Sequence, residues 1–283
     1  MATTESTLVL GGGGVTGIAW ELGVLAGLED AGIRLHESGP ILGTSAGSTV
    51  AAQITSGVSL DELVDRQLAG VPYEIPKSMG AGEIAQFLLA QLLPGSPEQV
   101  GRRVGKLALE ASTGSLAERR GVINARLPVH DWPGADLRIV VMNTRTGRHR
   151  VITRADGIGL VDAVAASCAV PLIWPCVPLQ GGVFMDGGIR SPLNLDLAPG
   201  SGCVVALAPT SIAFRKATKI PAQIAALAPR AVYVITPDAT TKAAQGRNAL
   251  DSAMVPAVAR AARVQGLAEA PRVAALLEAQ RAG

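Results

Sequence analysis

The chain has 283 residues, 48% of them apolar and 17% charged, which supplies a sizeable buried core and argues against disorder. Lys and Arg (25) nearly balance Asp and Glu (23), for a net charge of +2. With no basic run of five residues, nucleic acid is not an expected partner. The densest cations, Arg102, Arg103 and Lys106, with Arg119 and Arg120 further on, read as a solvated helix face. Cys168, Cys176 and Cys203 show no CxxC or Cys/His spacing. Neither a metal nor another cofactor is therefore expected, and reduced buried thiols fit the cytoplasm. Met1–Thr7 lacks a signal-peptide pattern, and no run of 18 apolar residues occurs, so membrane contact, if any, is peripheral.

Thr7–Leu10 is a short apolar run stopped by glycine, the pattern of a buried strand. Gly11–Gly14 form a loop, and apolar residues at helical spacing predict a helix over Gly17–Asp30, ended by Gly32. Ile33–Leu35 suggests a short strand or an edge segment, and Ile41–Leu42 a second buried strand, followed by a small-residue helix over Ser48–Thr55. The stretch around 57–135 is broken into helical fragments such as Leu60–Leu68 and Glu83–Leu93. Order returns with a strand at Leu137–Met142, a turn at Arg145–Arg148 and a returning strand at Arg150–Thr153. A helix over Leu160–Cys168 stops before Pro171, and strands follow at Val183–Met185, Val204–Leu207 and Ala231–Ile235. From Ala249 the chain is helical, punctuated by Pro256 and Pro271. Strands alternating with helices predict an α/β fold with a mostly parallel sheet covered on both faces. One domain over 1–283 is the simplest account.

Gly12–Gly17 satisfies GxGxxG between a strand and a helix, with Glu37 about twenty residues on. That context suits a dinucleotide diphosphate at the helix N-terminus. It equally suits a cradle of main-chain amides for a developing oxyanion. Gly43-Thr-Ser45-Ala-Gly47 matches GxSxG, a strand-to-helix turn that pushes the serine out at the top of a sheet. With 33 glycines in the chain and 15 serines, chance alone gives roughly 0.2 matches. The plainer alternative is an N-cap serine in a glycine-rich turn.

A serine nucleophile needs a proton acceptor. The histidines are His36, His130 and His149, and none lies near the C-terminus, where a Ser…Asp…His order would put it. Asp186, in Phe184-Met-Asp-Gly-Gly188, follows a short strand and precedes two glycines, so it is the candidate base, or else an ordinary turn aspartate. Asp156-Gly157 lies in a more polar setting without a clear preceding strand. A carboxylate is a weak base in water, so Asp186 would need partial desolvation.

Together these blocks resemble the patatin-like phospholipase family. Leu10–Gly17 with Gly23–Gly32 looks like its glycine-rich block and first helix, Gly43–Gly47 like its nucleophile elbow, and Ala166–Pro171 with Gly181–Gly188 like its Asp-Gly-Gly block. The resemblance covers about residues 7–195. It implies a three-layer α/β/α sandwich and a Ser–Asp dyad: Ser45 as nucleophile, Asp186 as base, and Gly12, Gly13 and Gly14 as oxyanion donors. Gly17, Gly43, Gly47, Gly187 and Gly188 complete its motifs. The implied activity is hydrolysis of lipid carboxylic esters (phospholipid, lysophospholipid or acylglycerol). Where the family often carries Arg or Lys before the last glycine of its first block, this chain has Thr16, which leaves neutral acyl esters open. The rivals are a nucleotide-binding module built on Gly12–Gly17 and Glu37, and a non-catalytic lipid-binding relative.

Around 57–135 a helical cap or lid-like insertion is expected. Within it Ile84, Phe87, Leu88 and Leu92 share a helical face. An ordinary core helix is the plainer reading, and a lid or a membrane contact the alternative.

Overall fold

The computed structural model describes residues 6–71, 74–75 and 79–282; most of the opening Met1–Thr7 stretch lies outside them. In chain order the elements are β1 (Thr7–Leu10), α1 (Gly14–Asp30), β2 (Ile41–Thr44), α2 (Ala46–Ile54), α3 (Leu60–Leu68), α4 (Ala81–Leu92), α5 (Pro97–Glu110), α6 (Leu116–Arg126), β3 (Leu137–Asn143), β4 (His149–Ile152), α7 (Leu160–Ser167), β5 (Val177–Leu179), β6 (Gly182–Asp186), β7 (Val204–Leu207), α8 (Ile220–Ala226), β8 (Val232–Ile235), α9 (Ala239–Gln245) and α10 (Val255–Ala282).

The sheet runs β5-β6-β3-β2-β1-β7-β8, with β4 also on β3. Strands β3, β2, β1, β7 and β8 are parallel, while β4 and β6 run antiparallel to β3. Successive side chains alternate between two cores, as the period of a strand demands. Leu8, Leu10, Ile139 and Val141 join the helical layer of α1, α2 and α10. Val9, Leu42 and Val140 face Leu193, Leu195 and Leu227 on the other side. The result is the expected α/β/α sandwich with a mostly parallel sheet.

Helix α1 is buried from Val15 to Leu28, so it lies inside the molecule and not on its surface. Gly23, Gly27 and Gly266 let it approach α10 closely. A Cβ on Gly27 would come within 2.1 Å of the Arg263 carbonyl oxygen. α10 continues through Pro271 without a break. Pro271 faces solvent and supplies no amide to the carbonyl one turn back.

Ile33–Leu35 is not a strand. The Ile33 amide closes α1 on the Leu28 carbonyl (3.0 Å), with Gly32 left-handed between them at φ +81°, a Schellman closure. The chain then makes a 3-10 turn over Leu35–Glu37. Arg119 also departs from expectation: it is 2% exposed, whereas Arg102 and Lys106 are solvated. Within 57–135, α3 packs on α1 and α10, α4 pairs with α5, and α6 packs on α7. The α4 face divides: Phe87 turns inward, but Ile84, Leu88 and Leu92 are exposed.

Candidate active site

β2 ends at Thr44 and α2 begins at Ala46, so Ser45 alone makes the turn. It does so at φ 53°, ψ −117°, a conformation costing a non-glycine residue roughly 1–3 kcal/mol. Surrounding bonds hold it there. Its amide donates to Ser167 Oγ (2.9 Å), and its carbonyl accepts from Ser48 Oγ (2.7 Å) and Cys168 Sγ (3.2 Å). Gly47 is required by close approach: a Cβ there would sit 2.2 Å from the Leu10 carbonyl oxygen. Gly43 meets the backbone of Gly47 and Ser48 in the same way.

Asp186 ends β6, and the sheet register explains why it meets Ser45. Val140 pairs with Thr44 of β2, and the next residue, Val141, pairs with Asp186 of β6. β4 occupies the opposite flank of β3 at both positions, so β2 and β6 abut end to end on one flank. Ser45 Oγ donates to Asp186 Oδ2 at 2.7 Å, and the Gly188 amide donates to Oδ1 at 2.7 Å. Gly187 lies against the Val140 carbonyl, which leaves no room for a Cβ. Asn194, absent from the sequence-level expectation, donates to both Thr44 Oγ1 and the Gly187 carbonyl at 3.2 Å. It thereby ties together the residues beside Ser45 and Asp186.

Burial pushes the Asp186 carboxyl up to about 6, against the hydrogen bonds from Ser45 and Gly188 and the more distant Arg119 charge. Arg119 is the nearby cation. Its guanidinium stacks 4.2 Å over Trp174 and donates to the Cys168 carbonyl at 3.2 Å, while Nε and Nη1 have no partner among the described residues. Desolvation, first, and the neighbouring Arg126 charge lower its pKa to about 10, so it stays charged at neutral pH.

The glycine loop crosses directly above the serine. A Cβ on Gly12 would lie 3.4 Å from Ser45 Cβ. The Gly12 amide is already engaged, donating to the Pro192 carbonyl at 2.8 Å. No carbonyl among the described residues accepts from the Gly13 or Gly14 amides, which open α1. Gly14 is left-handed at φ +63° and abuts the Ala249 carbonyl; Gly17 packs on Pro209 and Ala46. Thr16 binds the same Ala249 carbonyl through its amide (3.2 Å).

Ser45, Asp186 and Gly12–Gly14 share one groove of about 710 Å³, walled by apolar side chains including Ile84, Ile173, Ile189 and Ile212. Glu37, in contrast, precedes β2 and stands at the N-terminal ends of the parallel strands, opposite the C-terminal ends where Gly12–Gly17 lies. The acid-to-ribose geometry of a dinucleotide site is therefore not formed. Asp156 is occupied by Arg150 at 2.6 Å. Among the described residues no cluster of three His, Cys, Asp or Glu could hold a metal, and no helix is long and apolar enough to cross a membrane.

No curated protein matches the chain. Solved structures similar to it include the following two. VipD from Legionella pneumophila matches at TM-score 0.40 and 16% identity, over 72% of this chain and 50% of that one. The type III effector protein ExoU matches at TM-score 0.43 and 16% identity, over 95% of this chain and 53% of that one. The chain spans about half the length of each. The patatin-like phospholipase profile matches residues 8–199, from β1 through the Asp186 loop: the chain belongs to the patatin-like phospholipase family.

Proposed function

We propose that this protein is a lipid acyl hydrolase that cleaves carboxylic esters through Ser45 and Asp186. The observation that carries this reading is the 2.7 Å hydrogen bond from Ser45 Oγ to Asp186 Oδ2. Ser45 attacks the ester carbonyl and its proton passes to Asp186. With its pKa raised to about 6, Asp186 is a stronger base than a solvated carboxylate, yet about nine-tenths ionised at pH 7. The oxyanion is assigned to the Gly13 and Gly14 amides at the positive end of α1. Gly12, whose amide is held by Pro192, leaves its open face above Ser45 for the substrate. The alcohol departs with the proton; water deprotonated by Asp186 then attacks the acyl-enzyme, the acyl–Oγ bond breaks to release the acid, and the proton returns to Ser45 Oγ. The groove takes the chain, and α4, within the 57–135 segment, contributes its cover in a single acyl-hydrolase unit.

The test is turnover of a p-nitrophenyl ester together with fluorophosphonate labelling. Ser45→Ala and Asp186→Asn are each expected to abolish turnover, and Ser45→Ala to abolish labelling. Turnover by Ser45→Ala at the wild-type rate would refute the scheme. A panel of lysophospholipids, phospholipids and acylglycerols then identifies the substrate class. Binding of these lipids without hydrolysis would favour the non-catalytic alternative.

A further inference from the structure

The groove mouth is rimmed by apolar side chains that no described residue covers. Ile84, Leu88 and Leu92 repeat every four residues along α4 with Leu89 beside them; Leu89 is 59% and Leu92 64% exposed. Phe87, on the inward side, meets Phe214 edge-on at 6.4 Å, which brings the loop carrying Ile212 (67% exposed) alongside the helix. Arg215 fastens that loop by donating to the Gly95 carbonyl at 2.9 Å. Ile84 and Ile212 belong both to this exposed rim and to the groove wall.

Charge distinguishes the rim from a protein-docking patch. Lys216 and Lys219 follow Phe214 and are exposed, and Arg247, also exposed, is the one cation among the described residues of the groove wall. On α4 the only acid is Glu83, which is engaged in capping through the Gly80 amide at 2.7 Å. A macromolecule seated here would stopper the route to Ser45. A bilayer instead lays acyl chains against Ile84 and Ile212, while its anionic head groups meet the lysines.

We propose that the face formed by α4 and the 210–219 loop docks on an anionic lipid bilayer, with the groove opening toward the acyl chains. The proposal deepens the acyl-hydrolase reading, but it is tested without turnover, so the two can fail separately.

The experiment is co-sedimentation of the full chain with vesicles of phosphatidylcholine alone or with added phosphatidylglycerol. The wild type and Ser45→Ala are both expected to pellet with the anionic vesicles. Leu89→Glu/Leu92→Glu, at exposed sites, should bind them at least about tenfold more weakly. Lys216→Glu/Lys219→Glu should lose about tenfold on anionic vesicles only. An environment-sensitive fluorophore on Leu92→Cys should shift to the blue on adding the same vesicles. Absence of wild-type capture, capture indifferent to phosphatidylglycerol, undiminished capture of the Leu89/Leu92 variant, or a silent Leu92 probe each overturns the proposal. A concentration-dependent dimer dispersed by the Leu89/Leu92 variant, without vesicle capture, would assign the face to a second copy.

Discussion

The amide of Ser45 donates to the hydroxyl of Ser167 across 122 residues of chain, and that hydroxyl donates onward to the Val140 carbonyl. The next two residues extend the arrangement. Cys168 binds the Ser45 carbonyl through sulfur and Arg119 through its own carbonyl, and Ala169 accepts the Asp186 amide at 3.0 Å. The end of α7 thus grips both halves of the proposed dyad.

Ser167→Ala leaves the buried Ser45 amide without its acceptor, at roughly 1–3 kcal/mol, and relaxes a backbone held at positive φ. The expected result is a lower melting temperature and a kcat reduced about ten- to hundredfold, with KM changed less. Steady-state kinetics on a soluble ester checks this.

The pH profile follows from Asp186. In the proposed scheme its base form is the active one, so kcat/KM should rise with pH and level off above about 6. Arg119→Gln removes a charge that favours the ionised carboxylate. The acid limb should then move to higher pH. A purely structural role for Arg119 would lower the plateau and leave the limb in place.

Stability carries the opposite sign. Asp186 binds its proton more tightly in the fold than in the unfolded chain, where its value is near 3.8. The fold therefore holds more protons between about 3.8 and 6, and stability falls as pH rises through that window. The loss at neutral pH is up to roughly 3 kcal/mol. Asp186→Asn keeps the shape without the charge. It should melt higher than wild type at pH 8 and alike below about pH 4, as thermal scans at the two pH values would show.

Two glycines of the loop separate catalysis from folding. Gly12→Ala places a methyl in contact range of Ser45, so kcat/KM should fall about a hundredfold while the melting temperature holds. Gly14→Ala must adopt φ +63° and drives a Cβ to 2.4 Å from the Ala249 carbonyl oxygen, so both quantities should fall.

What was legible in the sequence is what is local. The glycines around Ser45 and after Asp186 mark sharp turns, and such turns are written in consecutive residues. Ser167, Asn194 and Arg119 work through partners 122, 150 and 49 positions away, which no spacing rule reaches. Arg119 in particular lies in the charged run Leu116–Arg126, which reads as solvated until α6 packs on α7. Helices α5 and α6 did carry a readable sign: Ser96 with Gln99, and Ser115 with Glu118, are capping boxes.

The abutment of β2 and β6 along β3 makes one peptide step of β3, about 3.3 Å, the gauge that sets the proposed nucleophile against the proposed base. Neither the long excursion between β2 and β3 nor the one between β4 and β6 passes through that step. Outside the residues that hold the proposed dyad directly, Ser45–Gly47 and Ser167–Ala169, either can lengthen, shrink or exchange its side chains and leave that step in place. The cover over the groove is thereby free to diversify in what it admits, while a single inserted residue between Val140 and Val141 would silence the enzyme.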